Sequence, residues 1–542
     1  MFNKNKKFCI FNFFFIYLQQ KIKDMKFKDL TEGDIKKVRE IYKDNSLSWD
    51  KRMSILMKFF NKGERTVRKW CSKLGFSEKT EIIPEQLEIA KKKQHDTKKK
   101  KFLITAAQNA TKINLGFWKN LLAYADFIDA EILVIPYRYH NPTSIILDCN
   151  RKEEWWDEKI VPYLTLNRHD LNNKITVLSN VKIQPTAILP LSNLECLCSE
   201  SCIVGHPRVH MKSLPVLDDK PRIMFTTGNL TKPNFTDSKI GHISEFHLTY
   251  GAVIVEIKDE QTFYARQITA KENGNFNDLY WNINDGNVTR NTEIPAIVKG
   301  DIHYGAHDEI VINRSFSELI PKLNPKEIFL HDLADFKSVN PHEEKNWIQQ
   351  YRNEVEDVSS LKNEINKILD FLDTIKKYNL VVVFSNHDNF LDRYIINSDP
   401  KKNIKNALEF VEYSKILLED KAPNGLLGYI INQKFPNIKV LPRDGSYKVK
   451  GWELSKHGMD GTCGSRGNIQ QFKRLNTKII TAHGHGVGRF DGAVQVGCNC
   501  KLRQGYNHSA SDWVHSDVII HNDGKCQTIL YIGPNAEFTT FE

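Results

Sequence analysis

The chain has 542 residues, of which 40% are hydrophobic and 26% are charged, a balance typical of globular proteins. This length is too great for one hydrophobic core, so we expect two or three domains. The ten cysteines are scattered, which excludes a dense secreted disulfide scaffold and favours a reduced, cytoplasmic setting. The net charge of +11 favours a polyanionic partner, although it does not establish one.

The first 25 residues contain an apolar run, Phe8 to Leu18, which follows three lysines and resembles a signal peptide. This run is too short to span a bilayer, and no small-x-small cleavage site follows it. We interpret residues 1–25 as a leader or a non-native extension. A secretion signal and a surface helix are the alternatives.

Residues 26–80 read as a small helical domain. Apolar residues recur at helical spacing from Trp49 to Phe60, and a second helix is predicted from Glu64 to Leu74, after a turn that contains Gly63. Two helices joined by such a turn indicate a helix-turn-helix, whose second helix would enter a major groove. A helical bundle used for protein contacts is the alternative. The basic residues that would contact DNA are Arg65, Arg68, Lys69 and Lys73.

A lysine-rich linker is predicted at residues 81–101, because Lys91 to Lys101 includes seven lysines and few apolar side chains. A central α/β domain is then predicted at residues 102–292, since apolar strand-like runs alternate there with helical or loop segments. These runs are Phe102–Ala106, Ile132–Ile135, Ile223–Thr226 and Ala252–Ile257.

The segment 293–542 is a second predicted α/β domain. It contains a long helical stretch, Glu343 to Tyr378, and short apolar strands that each end in a cluster of polar side chains. Open α/β sheets place their chemistry at the C-terminal ends of strands. The strands are Ile294–Val298, Glu327–Leu330, Leu380–Phe384 and Lys478–Thr481.

Metal-ligand side chains account for most of these polar clusters. The candidates are Asp301, His303, Asp332, Asn386, His457, His483 and His485. Imidazole, carboxylate and amide oxygen together suit borderline metals such as manganese, iron or zinc. A two-metal hydrolase holds its ions about 3.5–4 Å apart around a phosphoryl group, and the single carboxylate of Asp332 is suited to bridge them.

The order of these fragments resembles that of the calcineurin-like metallophosphoesterases. The fragments are Asp301-x-His303, Asp332-x-x-Asp335, Asn386-His387-Asp388, His457-Gly458 and His483-x-His485. Each is weak alone, but five in the right order, four of them at predicted strand ends, are specific. The resemblance covers about 250 residues and implies the four-layer sandwich of that family, with a dimetal site at its strand ends.

The resemblance also implies a role for each residue. Asp301, His303 and His485 would hold one metal ion, and Asn386, His457 and His483 the other. Asp332 and a nucleophilic hydroxide would bridge the two ions. His387 would protonate the leaving oxygen, oriented by Asp388. Two positions depart from the family: His331 and Ala482 stand where glycine is usual.

A second resemblance bears on the substrate. The central motifs Ile104–Gln108, Val134–Tyr139 and Gly228–Thr231, joined to this C-terminal domain, resemble the early-expressed, DNA-degrading metallophosphoesterases of some tailed bacteriophages. That resemblance implies a DNase of the host cytoplasm that uses two divalent ions and forms a homo-oligomer. Mn²⁺ is the implied metal, with Mg²⁺, Fe²⁺ and Zn²⁺ as alternatives.

The basic charge and the helix-turn-helix pattern favour the same substrate. We therefore predict a two-metal nuclease that hydrolyses DNA phosphodiesters, with DNA as its partner and no membrane association. One alternative is a metallophosphatase or phosphodiesterase that acts on nucleotides or phosphoproteins. Another is a non-catalytic DNA-binding regulator, against which the complete ligand set argues.

Overall fold

The computed structural model describes residues 26–44, 47, 49–74, 85–91, 98–141, 155–218, 220–475, 477–505 and 507–540. The predicted leader, residues 1–25, lies outside them. The chain divides into two compact units, residues 1–83 and 84–542. No helix in the described ranges is both long enough and apolar enough to cross a bilayer.

The first unit is helical, as the sequence predicts. Its helices are α1 (Glu32–Lys43), α2 (Trp49–Phe60) and α3 (Glu64–Lys73). The side-chain oxygen of Thr31 caps α1 by accepting a hydrogen bond from the Asp34 N–H at 3.2 Å. Asn61 turns the chain between α2 and α3 with a φ of +47°. The apolar faces of the helices meet in a core that includes Val38, Leu56 and Val67.

The second unit combines helices with several sheets, which confirms the α/β class. Its helices are α4 (Glu85–Lys91), α5 (Leu115–Ile128), α6 (Lys239–His247), α7 (Glu309–Arg314), α8 (Ile320–Leu323), α9 (Trp347–Val355), α10 (Leu361–Ile375), α11 (Phe390–Asn397), α12 (Ala407–Leu418), α13 (Leu426–Lys434) and α14 (Ile469–Phe472). Its first twelve strands are β1 (Lys101–Gln108), β2 (Glu131–Tyr137), β3 (Arg168–Asn172), β4 (Ile175–Leu178), β5 (Ser201–Val204), β6 (His210–Leu214), β7 (Arg222–Thr226), β8 (Gly251–Ile257), β9 (Phe263–Thr269), β10 (Phe276–Asp278), β11 (Trp281–Asn284) and β12 (Asn287–Arg290).

The remaining strands follow residue 293. They are β13 (Ile294–Lys299), β14 (Pro325–Leu330), β15 (Leu380–Val382), β16 (Lys439–Val440), β17 (Lys448–Val449), β18 (Trp452–Glu453), β19 (Lys478–Thr481), β20 (Gly488–Phe490), β21 (Ala493–Gln495), β22 (Ser516–Ile520) and β23 (Cys526–Leu530). Strands β13 to β16 are parallel neighbours in a six-stranded sheet ordered β16-β15-β14-β13-β22-β23. The C-terminal ends of its parallel strands therefore meet at one edge.

A ten-stranded sheet is ordered β17-β18-β19-β21-β20-β6-β7-β5-β4-β3. At one end it packs on the six-stranded sheet through a core that includes Val298, Phe329 and Ile480. At the other end it packs on a four-stranded sheet, β2-β1-β8-β9, through a core that includes Ile104 and Phe225. The predicted boundary at residue 292 remains a prediction, but strands from both sides of it pair in this one sheet.

Two segments differ from the sequence-based expectation. The helical stretch Glu343 to Tyr378 contains two helices rather than one, because Asp357 has a φ of +53° and Ser360 caps a new helix. Part of the predicted linker forms the helix α4, which contacts Trp156. Its Gln86 donates a hydrogen bond to the Trp156 carbonyl at 3.1 Å and accepts one from the Trp156 N–H at 2.7 Å.

Candidate metal centre

The seven predicted ligands come together where strands end. Asp301 and His303 follow β13, Asp332 follows β14, and Asn386 lies four residues beyond β15. The other three, His457, His483 and His485, follow β18 and β19 of the ten-stranded sheet. Because those sheets pack face to face, their strand ends lie side by side. The site thus lies where the strand ends of the two sheets meet.

Four of these side chains form a first cluster around Asp332. Asp301, His303, Asp332 and His485 each offer one ligand atom, all within 4.8 Å of one another, and all four residues are buried. Nε2 of His485 lies 3.1 Å from Oδ2 of Asp301. Nε2 of His303 lies 3.2 Å from Nε2 of His485 and 3.5 Å from Oδ2 of Asp332. This cluster could hold a metal ion.

A second cluster shares Asp332. Ligand atoms of Asp332, His457 and His483 lie within 4.8 Å of one another. Nε2 of His457 lies 3.1 Å from Oδ2 of Asp332. The side-chain oxygen of Asn386 lies 2.9 Å from both Nε2 of His457 and Nδ1 of His483. Asp332 is therefore the carboxylate common to both clusters, in the position that the sequence predicts for a bridge.

The backbone is strained at four of the candidate ligands. His303, Asp332, His483 and His485 have φ values of +48°, +40°, +68° and +57°. A residue other than glycine in this region costs about 1–3 kcal/mol and persists only where its surroundings hold it there. One such restraint is the hydrogen bond from the His303 N–H to the Asp332 carbonyl at 2.7 Å. These four residues combine a left-handed backbone with side chains that belong to the ligand clusters.

The buried carboxylates are charged and incompletely satisfied. Burial raises the pKa of Asp332, but His457 and His387 lower it, and the net pKa is well below the usual range. Three of their oxygens, Oδ1 and Oδ2 of Asp301 and Oδ2 of Asp332, form no hydrogen bond of good geometry with the described part of the chain. Buried anionic oxygens require a compensating charge. Imidazole, carboxylate and amide donors around them fit a borderline divalent cation.

His387 lies against the first cluster. Its ring centroid is 4.3 Å from that of His303, edge to face. Its Nδ1 lies 3.1 Å from the backbone carbonyl of Asp335. Because a carbonyl only accepts, Nδ1 carries the proton and Nε2 is the basic nitrogen of the neutral ring. Burial, followed by the charge of His303, lowers the pKa of His387 to about 4.

The carboxylate beside His387 differs from the one that the sequence predicts. Asp388, expected to orient His387, instead accepts a hydrogen bond from the Ala334 N–H at 2.9 Å. Asp335 occupies the expected place, with Oδ1 3.6 Å from Nδ1 of His387 and 3.3 Å from Nδ1 of His303. The orienting role of Asp388 stays a prediction, and Asp335 is a second candidate for it because its carboxylate lies near His387. The Asp332-x-x-Asp335 spacing was the signal that could have identified Asp335.

The four basic residues predicted to contact DNA lie on α3 in the first unit, and their side chains are exposed. Two already have partners. Arg68 forms an ion pair with Glu64 at 2.6 Å, and Nζ of Lys73 lies 5.3 Å from the ring centroid of Phe27. The helix therefore presents a basic surface that is partly neutralised by its own residues.

Comparison with known proteins gives one informative match. The chain is 30% identical over 453 residues to Protein A1 of Escherichia phage T5, which covers 79% of this chain and 81% of that protein. The chain belongs to the Protein A1 family. No protein-family model matches it, and no solved structure matches it. The name of the Protein A1 family states no activity. The clusters around Asp332 are the feature of this chain that indicates a chemistry.

Proposed function

We propose that this member of the Protein A1 family is a two-metal-dependent nuclease that hydrolyses DNA phosphodiesters. The observation that carries the proposal is the sharing of Asp332 by two clusters of nitrogen and oxygen ligands. Two cations held by one carboxylate lie close enough to contact the attacking and leaving oxygens of a single phosphoryl group. The paired sheets are, in this proposal, a metallophosphoesterase sandwich of the calcineurin-like type.

The proposal assigns each side chain to an ion. Asp301, His303 and His485 would hold one ion, Asn386, His457 and His483 would hold the other, and Asp332 would be available to both. The donor set suits Mn²⁺, and Mg²⁺, Fe²⁺ or Zn²⁺ are alternatives. When bound, such ions supply Lewis-acid stabilisation of phosphoryl charge and lower the pKa of water. Neutral Asn386 limits the negative charge of the site.

In this proposal His387 transfers a proton to the leaving oxygen. In the metal-free protein, burial and the charge of His303 lower the pKa of His387 to about 4, so its Nε2 is unprotonated at neutral pH. A phosphodiester anion beside the ring raises that pKa, because the anion stabilises the imidazolium. Nε2 can then take up a proton and give it to the leaving oxygen, while the Asp335 carbonyl holds Nδ1–H in place. His387 thus acts as the general acid only in the substrate complex.

Two features support DNA as the proposed substrate: the positive net charge of the chain and the basic helix of the first unit. The chain carries a net charge of +11, and the basic residues of α3 are exposed next to a tight turn between two helices. Helix-turn-helix units place their second helix in the major groove. Because the chain is related to a phage protein, we propose that it degrades host DNA in the host cytoplasm and that it acts as a homo-oligomer.

The test uses the full-length protein, stripped of metal and reloaded with Mn²⁺, Mg²⁺, Zn²⁺ or Ca²⁺, on plasmid and linear DNA, RNA and a small phosphodiester. Asp332→Ala should abolish turnover, since both ions lose a ligand. His387→Ala should lower kcat by about 10²- to 10⁴-fold while leaving metal binding intact. Cleavage of small phosphoesters without cleavage of DNA or RNA would show that the substrate assignment is wrong.

The same centre also fits a phosphatase or phosphodiesterase that acts on nucleotides or phosphoproteins. The division of the chain at residue 83 favours this second candidate, since the basic helices belong to a separate unit. Removal of residues 1–83 should then leave every activity unchanged, whereas a DNA nuclease should lose DNA affinity selectively. A non-catalytic regulator would bind DNA and cleave no phosphoester with any metal.

A further inference from the structure

His331 lies directly beneath the second cluster. It follows β14, immediately precedes Asp332, and its side chain is fully buried. Its ring lies beside that of His457, with centroids 5.6 Å apart and planes inclined by 29°. The Nδ1 atoms of the two rings are 3.4 Å apart. The resemblance to calcineurin-like sequences implies glycine at this position, whereas this chain has a buried imidazole there.

The geometry fixes the direction of that hydrogen bond. Nε2 of His457 faces the cluster, at 3.1 Å from Oδ2 of Asp332 and 2.9 Å from the Asn386 side-chain oxygen. A histidine that ligates a cation through Nε2 keeps its proton on Nδ1. The Nδ1–H of His457 therefore points at Nδ1 of His331, which has to accept. A ring that accepts at Nδ1 carries its own proton on Nε2.

We propose that His331 is a positioning residue that fixes the tautomer and the ring orientation of His457, and thereby sets the affinity of the second ion. This inference rests on the proposed two-metal function. Ligating histidines commonly donate their second N–H to a carboxylate, a carbonyl or water, and loss of that acceptor typically weakens metal binding by 10- to 100-fold. Here another histidine supplies the acceptor.

Two other roles for His331 make different predictions. If the ring only fills space, any side chain of similar volume should replace it. If it were itself a ligand, its nitrogen should lie among the ligand atoms, yet within the described residues it belongs to none of the ligand groups.

The test compares two nearly isosteric variants of the full-length protein, His331→Asn and His331→Leu. The side-chain oxygen of asparagine can occupy the position of Nδ1 and accept the proton, whereas leucine cannot. Mn²⁺ is titrated calorimetrically into metal-free protein, and Co²⁺ absorption spectra report the coordination of each ion. His521→Leu, which removes another buried histidine outside the ligand groups, controls for the general cost of such a loss.

His331→Leu should weaken binding of the second ion by about 10- to 100-fold and leave the affinity for the first ion unchanged. The affinity of His331→Asn for the second ion should stay within a few-fold of wild type. Equal second-ion affinities for leucine and wild type would overturn the proposal, as would equal losses in both variants. If His331→Leu does not fold, His331→Gly supplies the variant without an acceptor. A wild-type protein that binds two ions but cleaves no DNA would refute the nuclease while leaving this inference standing.

Discussion

Oδ1 of Asp335 lies 3.3 Å from Nδ1 of His303. The other ring nitrogen of His303, Nε2, faces the ligand cluster. Burial lowers the pKa of His303, but this contact and the carboxylates of Asp332 and Asp301 raise it more, to about 9. In the metal-free protein the ring is therefore protonated at neutral pH. A cation at Nε2 has to displace that proton.

The first prediction concerns pH. The folded pKa of His303 exceeds the unfolded value of about 6.5, so its contribution to stability is full below that pH and is lost as pH rises through about 9. Metal-free protein should become less stable between pH 6.5 and 9, and Mn²⁺ affinity should rise over the same interval. Urea unfolding with chelator at each pH measures the first effect. An equally steep loss in His303→Gln would contradict the assignment.

The second prediction separates Asp335 from Asp388. Asp335→Asn should lower kcat by about 10-fold or more, since the carboxylate contacts both His303 and His387, and it should also shift the pH profile toward lower pH. Asp388→Asn should have a much smaller effect, because burial raises the pKa of Asp388 to about 7 and the amide resembles its protonated form. Steady-state kinetics on one DNA substrate compares the two. Equal losses would return the orienting role to Asp388.

The third prediction concerns α3. Arg65→Ala and Lys69→Ala should each reduce the slope of log affinity against log salt for DNA by about 1, with little change in activity on a small phosphodiester. Arg68→Ala should change the slope less, because Arg68 must first give up its ion pair with Glu64. Fluorescence anisotropy at several salt concentrations measures these slopes. Lys36→Ala, which removes one exposed charge from α1, is the control and should behave as wild type.

The fourth prediction concerns a buried ion pair beneath the centre. Nζ of Lys299 donates to Oδ2 of Asp517 and to the Ser315 hydroxyl, each at 2.6 Å, and both charged side chains are fully buried. Lys299→Met leaves the Asp517 charge without its cation and should cost about 3–5 kcal/mol of unfolding free energy. Lys326→Met breaks an exposed pair with Glu293 and should cost less than about 1 kcal/mol. Denaturant unfolding distinguishes them.

The sequence was informative where the signal is local. Apolar runs predicted the strands that precede Asp301, Asp332 and His483, and helical spacing predicted α2 and α3 with accurate bounds. Pairing between strands distant in sequence leaves no such signal, so the ten-stranded sheet was not foreseen. The choice between Asp335 and Asp388 depends on how a tight turn directs each side chain, which residue type and spacing alone do not determine.

The shared ten-stranded sheet has a consequence for how the protein can be made. Strand β6 pairs with β20 from Gly488 opposite Lys212 to Phe490 opposite His210. The segment that contains the candidate ligands is therefore paired with a strand from earlier in the chain. A fragment that begins at residue 293 would leave one edge of β20 unpaired, and exposed strand edges recruit other chains. All seven candidate ligands would be present in that fragment, yet we expect it to aggregate. The candidate metal centre therefore depends on a longer stretch of the chain than the one that contains its ligands.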